Sequence, residues 1–275
     1  MTMISDTLAL MQSMQEKELP FAVATVVRTV SVTAAKAGAK ALIREDGTIL
    51  AGWIGGGCAR GATLKAAQDA LADGQPRLIS VRPKDLLAEL GVAAGEAKDG
   101  VRYANNMCPS QGTMDIFIEP FLPRPEIVVM GASPVAVALI EIAGQFGFDV
   151  TAAAPAKDHS LLEAADHRIE GYELPLTQRA RFIVVSTQGS GDEQAVTAAL
   201  SFAANHVAFV GSRKKAAALI ASLRAKGIDE NHLASLKAPA GLDIGAITPE
   251  EIALSIIAEL VLVRRKGKTA PNLSL

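Results

Sequence analysis

An α/β protein is predicted, with an α+β module in the N-terminal part and a doubly wound parallel sheet in the C-terminal part. Beyond residue 125, short β-branched runs alternate with helical patterns, the signature of parallel strands joined by crossover helices. The 275 residues are 49% hydrophobic but only 4% aromatic. The core is therefore built from Ala, Val, Ile and Leu, which suits helices laid on a sheet. Finally, Pro120-Phe121-Leu122-Pro123-Arg124-Pro125 holds three prolines in six residues. Such a stretch forbids a helix and resists pairing as a central strand. It is taken as the boundary between a domain at 1–122 and a second at 126–275.

Residues 1–20 place Asp6 among apolar side chains without a basic leader or long apolar core. They read as a short amphipathic helix and not as a signal peptide. Residues 21–29 (FAVATVVRT) form a buried strand. Residues 40–44 and 48–54 flank Glu45-Asp46-Gly47, where Asp-Gly predicts a hairpin turn with both central residues at positive φ. A helix over 60–71 follows, with Leu64, Ala67 and Leu71 inward and Gly74 as its stop. Strands are expected at 77–81 and 114–118. Between them lie a short helix near 86–90 and a Gly/Ala/Asn-rich loop. In the second domain, strands are expected at 126–130, 149–154, 181–186 and 206–210, with helices at 134–147, 192–204 and 213–226. The last helix opens at Thr248-Pro249-Glu250-Glu251, a capping box with proline at the first helical position. Its stripe is Ile252, Ile256, Ile257, Leu260 and Val263, with Glu259 inside it given a structural role.

Composition removes several function classes. A net charge of -2, with no Lys/Arg block longer than a few residues, argues against nucleic-acid binding. No apolar run is long enough for an integral membrane segment. Cys58 and Cys108 belong to no C-x-x-C pair, and four histidines are scattered, so a structural zinc site lacks its spacing. A cytoplasmic, reducing location is expected, with both thiols unpaired.

Five places could carry chemistry. Gly131-Ala132-Ser133-Pro134-Val135-Ala136 follows a strand and opens a helix, the context of a dinucleotide fingerprint. Ser133 stands where a second glycine belongs, and the following strand ends in Ala154 without the carboxylate that binds ribose. Gly55, Gly56, Gly57 and Cys58 form the second place. A triglycine run is tolerated where backbone N–H groups face a ligand, and a sulfur at a helix N-terminus is a better nucleophile or metal ligand. The third is Met107-Cys108-Pro109-Ser110-Gln111-Gly112, which matters if it folds against the second, because two thiols in one pocket could share a soft metal or pass sulfur. The fourth is Gly211-Ser212-Arg213, at the carboxyl end of a strand, suited to an anion. The fifth is the Gly-rich loop around Asp243. Each also has a bland reading as packing, capping or solvated surface.

The segments ATVVRTVSVTAAKAGAKALIREDGTILAGWIGGGC and CPSQGTMDIFIEP resemble the N-terminal module of the XdhC/CoxI family. EIVVMGASPVAVALIEIAGQFGFDV, FVGSRKKAAAL and APAGLDIGAITPEEIALSIIAELV resemble its Rossmann-like C-terminal half. The likeness runs from about Phe21 to Arg265. The resemblance implies a maturation factor that binds molybdenum cofactor, as molybdopterin or its cytosine dinucleotide form. Such a factor assists sulfuration of the cofactor and passes it to an apo-molybdenum hydroxylase such as xanthine dehydrogenase or aerobic carbon monoxide dehydrogenase, the CPSQG form lying closer to the latter. It implies a cofactor chaperone more than a turnover enzyme, Cys58 and Cys108 as sulfur-handling or ligating groups with Cys58 as the metal ligand, and Gly55, Gly56, Gly57, Gln111, Gly131, Ser133, Gly211, Ser212, Arg213 and Asp243 as cofactor contacts. A cysteine desulfurase and a second copy in a homodimer are further expected partners. Two departures remove negative charge: Arg60 and Ala154 stand where the family places acids. A flavin- or NAD(P)-dependent oxidoreductase, with FAD or NAD(P) on the Rossmann half, and a ligand-free scaffold stay open beside this reading.

Overall fold

The computed structural model describes residues 3–266, apart from Ser110 and Gln178. The chain divides into two compact units, Met1–Pro123 and Arg124–Leu275.

The first unit runs α1 (Met3–Glu16), β1 (Phe21–Val30), β2 (Lys40–Arg44), β3 (Ile49–Gly52), α2 (Gly57–Asp73), β4 (Arg77–Arg82), α3 (Lys84–Glu89), β5 (Ala97–Lys98), β6 (Val101–Asn105) and β7 (Thr113–Phe121). Its seven strands form one sheet in the order β3-β2-β1-β7-β4-β6-β5, antiparallel except for β4 beside β6. The pleat sends alternate residues of β1 to opposite faces. Ala22, Ala24 and Val26 pack with Ile116, Ile118 and the inner face of α2. Phe21 and Val23 pack with Met14 and Leu42 on the other face. Burial on both faces explains why apolar residues occupy both faces of the first half of this strand, interrupted only by Thr25. The face that α2 buries is Ala59, Thr63, Ala66, Ala67, Ala70 and Leu71, whereas Leu64, expected inward, is only half-buried. Small residues at these positions let the helix lie close to the sheet. Gly74 ends α2 at φ 72°, as expected of a C-terminal glycine.

Three expectations for this unit need correction. The Asp46-Gly47 turn has only Gly47 at positive φ (84°). Gly47 N–H donates to the Arg44 carbonyl and Arg44 N–H to that of Thr48, so this is a three-residue loop with a glycine bulge and not a two-residue turn. The two-residue turn with both centres at positive φ sits at Asp99 (52°) and Gly100 (77°). It joins β5 to β6 within the stretch read as loop. Pro120 lies inside β7, opposite Ala22 of β1. Proline is tolerated there because pairing with β4 stops at Ile118 opposite Arg77, leaving that side of Pro120 without a ladder to break.

The second unit runs β8 (Glu126–Met130), α4 (Pro134–Ala143), β9 (Asp149–Ala154), β10 (His167–Glu170), β11 (Arg181–Val185), α5 (Asp192–Ser201), β12 (His206–Phe209), α6 (Arg213–Ala225), α7 (Glu230–Ser235), β13 (Leu236–Lys237) and α8 (Pro249–Lys266). The strands order as β10-β9-β8-β11-β12-β13, and every pairing is parallel. Numbered from β8, this is the 3-2-1-4-5-6 order of the Rossmann fold. Ile127, Val129, Val150 and Ala152 face α4 and α8, while Val128, Met130, Ile183 and Val185 face α5 and α6. The α4 segment passes through a 3-10 turn, Gly144–Phe146, to a left-handed Gly147. The capping box of α8 forms as expected: Glu251 N–H donates to Thr248 Oγ1 (3.3 Å), and Glu251 Oε2 accepts from Thr248 N–H (3.0 Å).

Glu259, 3% exposed on α8, ties this helix to the sheet. His206 Nε2 at the start of β12 lies 2.8 Å from Oε1. Lys237 Nζ lies 3.2 Å from Oε2, within ion-pair range but out of line for a hydrogen bond. Burial alone would raise the carboxyl pKa. The His206 hydrogen bond and the Lys237 charge outweigh burial and leave it below the usual 4.5. A depressed folded pKa contributes stability that is complete above the unfolded value and is lost as pH falls through the folded one. Chemical denaturation at stepped pH should show stability falling below about pH 4.5 in the parent, and a flatter acid limb in Glu259→Gln.

Candidate functional site

In the first unit, three loops gather at one end of the sheet. After β3 the chain reads Trp53, buried Ile54, then Gly55-Gly56-Gly57-Cys58 into α2. Gly55 and Gly57 hold φ 100° and 52°, values that favour glycine. A side chain at Gly57 would meet nothing within 4 Å, and one at Gly56 only the Trp53 ring at 3.9 Å. Packing therefore does not demand glycine at 56 or 57, which lie open, whereas Gly55 is buried and a Cβ there would touch Ala34 and Ala59 at 3.7 Å. Gly56 is the N-cap of α2 and supplies no side-chain cap, so the first amides of the helix have no side-chain acceptor at the positive end of its dipole.

Cys58, the second residue of α2, is half-buried, and Met107 N–H donates to its Sγ at 3.4 Å. The Cys108 loop thus folds against the glycine-cysteine loop, which is the condition under which the third motif gains meaning. Asn106 clamps this loop. Its Nδ2 donates to the Gly112 carbonyl (2.6 Å), its Oδ1 accepts from Cys108 N–H (3.0 Å), and its own N–H bonds the Arg82 carbonyl (2.6 Å). Cys108 is exposed. Gln111, at φ 48°, is exposed and bridges to Val32. At Gly112 an added Cβ would sit 2.2 Å from the Val32 carbonyl oxygen, so the third loop, following β1, abuts here. One residue before the clamp, Asn105 Oδ1 is buried without a hydrogen-bond partner. Trp53, Met107 and Val32 are exposed apolar side chains on these loops, Met107 at 77%. The donor set is soft sulfur, amide N–H and one unfilled acceptor. It fits a sulfur-ligated, anion-bearing cofactor better than a hard cation. No cluster of three or more metal-ligating side chains occurs among the described residues.

In the second unit the candidate residues sit at the carboxyl ends of the parallel strands. Gly131 (φ 110°) follows β8, and its Hα faces the Ser186 carbonyl oxygen, 2.5 Å from where a Cβ would lie. Ser133 caps α4, accepting from Ala136 N–H at 3.1 Å, and its Oγ pairs with Ser186 Oγ at 2.6 Å. Gly131 N–H donates to Ala153 and Ser133 N–H to Ser186, while Pro134 has no N–H. The helix start that would hold a pyrophosphate is thus largely satisfied from within. After β12, Gly211 leads to Ser212, which caps α6 through Lys215 N–H (3.2 Å). Arg213 Nη2 meets Asp243 Oδ2 at 3.2 Å, both side chains 84% exposed. The fold joins two residues nominated separately, but such an exposed pair adds little stability.

Between β8 and β11, where strand order reverses, a cleft of about 240 Å³ is lined by Gly131, Ala132, Ser133, Pro155, Lys157, Asp158, Tyr172, Thr187, Gln188 and Ser190. Sequence reasoning missed Lys157, Asp158 and Tyr172. The first two lie in a 3-10 turn, Ala156–Leu161, and Tyr172 follows the edge strand β10; none belongs to a periodic pattern. Across the cleft, Thr187 Oγ1 donates to Asp192, which also accepts from Gly189 N–H (2.9 Å) and pairs with Lys215 Nζ (2.6 Å). Burial pushes the Asp192 pKa up, but Lys215, Thr187 and Gly189 together hold it below the usual carboxylate value.

These features define a two-unit α/β protein with a thiol-bearing glycine loop on an antiparallel-rich sheet and a Rossmann unit following a proline-rich joint. The XdhC and CoxI family model matches residues 14–82, and the XdhC Rossmann domain model matches residues 127–260; the chain belongs to the XdhC/CoxI family. It is 29% identical over 266 residues to the uncharacterized protein YqeB of Escherichia coli (strain K12), covering 92% of this chain and 45% of that protein. Over 163 residues it is 28% identical to a probable xanthine dehydrogenase subunit of Bacillus subtilis (strain 168), covering 56% and 47%. The chain spans less than half the length of these curated relatives. A crystal structure of a xanthine dehydrogenase from Bacillus halodurans aligns over 96% of this chain and 97% of that one at 19% identity and a TM-score of 0.47, a likeness that decides nothing further. No helix among the described residues is long and apolar enough to cross a membrane.

Two outcomes check this geometry. Gly131→Ala should destabilise the protein by about 2 kcal/mol or more in denaturant unfolding, since a Cβ meets backbone at a left-handed φ. Under limiting iodoacetamide, peptide mass spectrometry should find Cys108 alkylated before Cys58, because the latter sulfur is half-covered and bonded to Met107 N–H.

Proposed function

We propose that the chain is an accessory factor in the maturation of xanthine dehydrogenase-type molybdenum hydroxylases, and that it holds molybdenum cofactor at the glycine-cysteine loop of its first unit. The observation that carries this reading is the Met107 N–H to Cys58 Sγ contact. It joins the triglycine turn and the second thiol loop into one surface with soft sulfur beside helix amides that no side chain caps. Membership of the XdhC/CoxI family supports the client class.

In this reading the amides at the start of α2 and the glycine run hold the anionic phosphate end of the cofactor. Cys58, whose Sγ accepts from Met107 N–H, would offer the cofactor a soft sulfur ligand. When bound, the cofactor supplies a molybdenum centre that the client enzyme later uses; the chain's own part is to bind, orient and shield it. Cys108, the exposed thiol, is the one that a sulfur-donating partner such as a cysteine desulfurase reaches. The apo-hydroxylase then receives the cofactor, with the exposed Trp53, Val32 and Met107 side chains on the adjoining loops.

The test is to purify the full chain from hosts with and without cofactor synthesis and to measure bound molybdenum and pterin. Both should accompany the parent only in the competent host. Cys58→Ser should lower the molybdenum content by about tenfold, the effect of losing about 1.4 kcal/mol of binding. Parent protein from the competent host that carries neither molybdenum nor pterin would overturn the reading.

A further inference from the structure

The cleft of the second unit takes no part in that reading, yet it has the components of a binding site. In doubly wound sheets the carboxylate that binds ribose hydroxyls sits at the end of the second strand. Here β9 ends in Ala153-Ala154-Pro155, and Pro155 turns the chain into the 3-10 segment Ala156–Leu161. That segment carries Lys157 and Asp158 onto the cleft wall. A carboxylate therefore stands on the cleft wall four residues after Ala154.

Two observations separate Asp158 from a merely structural acid. Asp192, in the loop across the cleft, is committed to Lys215, Thr187 and Gly189. Asp158 and Lys157 have neither an ion pair nor a side-chain hydrogen bond among the described residues, although they stand side by side at the cleft. Tyr172 completes the wall, mostly buried. Its phenol is held protonated by burial first and then by the negative charges of Asp158 and Asp192, so its O–H is available to donate toward a ligand. Opposite lie Thr187, Gln188 and Ser190.

We propose that this cleft binds a ribonucleoside 5′-phosphate, with Asp158 accepting hydrogen bonds from the ribose hydroxyls and Lys157 supplying the charge that meets the phosphate. The volume of about 240 Å³ lies below the ~300–1,000 Å³ of sites that enclose drug-sized ligands, so the cleft would seat part of one nucleotide, with the rest reaching into solvent, and has no room for a dinucleotide. The internally capped start of α4 agrees, since it leaves few amides for a second phosphate. The base is not chosen by the groups on the wall, so an adenine or a cytosine nucleotide satisfies the same chemistry.

The experiment is calorimetric titration of the full chain with AMP, CMP, 2′-deoxy-AMP and adenosine. Saturable 1:1 binding of AMP or CMP is expected, with the two arms identifying the base. The 2′-deoxy compound should bind about tenfold more weakly, as for loss of a hydrogen bond to a charged group. Asp158→Asn should erase that discrimination without changing the thermal midpoint by more than about 1 °C. Lys157→Ala should weaken AMP but not adenosine. Failure of both AMP and CMP to bind at about 5 mM, a level at which even millimolar affinity shows, overturns the proposal. So does ribose discrimination that survives in Asp158→Asn. The molybdenum and pterin content set by Cys58 is read separately, so either reading can fail alone.

Discussion

Both units depend on one constraint: their central strands are covered on both faces, and the chain meets this with few aromatic residues. In β8 the pleat sends Ile127 and Val129 to one helical layer and Val128 and Met130 to the other. In β1 it divides Ala22 and Ala24 from Phe21 and Val23. Alanine on α2 and α4 lets helices approach the sheets closely, and close packing fixes where each helix begins. The helix starts and the loops before them are then the places left to carry polar chemistry, which is where the glycine-cysteine loop and the nucleotide-type cleft both lie.

The doubly buried strands were legible in the sequence because apolar residues fill both faces, broken only by a small threonine such as Thr25 or Thr151. β8 and β9 appear with the bounds read from their apolar runs, and the capping box gave the start of α8 to the residue. What was illegible depends on distance in the chain. β10 (His167–Glu170) is an edge strand whose residues are mostly exposed, so it carries no alternation. The Asp-Gly dipeptide occurs at 46–47, 73–74 and 99–100, yet only the last forms the tight turn: Gly74 ends α2, and the first hairpin takes a bulge, while β5 and β6 close directly across Asp99-Gly100. Leu64 illustrates the same limit: spacing named a helical stripe, but the sheet selects the neighbouring alanine face.

At the candidate sites, residues that announce themselves by local chemistry were found from the sequence, and those that act through closure were not. Gly55, Gly56, Gly57 and Cys58 stand out because a glycine run before a helix has few structural uses. Asn106 does not, since its importance comes from bonding Gly112 six residues away. Asp158 was hidden because an acid is expected at the strand end, where Ala154 stands, and only the turn after Pro155 puts a carboxylate on the cleft wall. Ser133 shows the reverse: the residue that spoils the dinucleotide fingerprint is the one that caps α4 and joins β8 to β11 through Ser186.

The contact between Gly112 and the Val32 carbonyl has a consequence for how this site can change over time. With no room for even a methyl group, the two backbones are interlocked, and Asn106 ties the same loop to β4. An insertion or deletion in any one of the three segments would shift the other two. The thiol surface should therefore be inherited and transplanted as a whole, its three strips of chain moving together between homologous scaffolds or not at all.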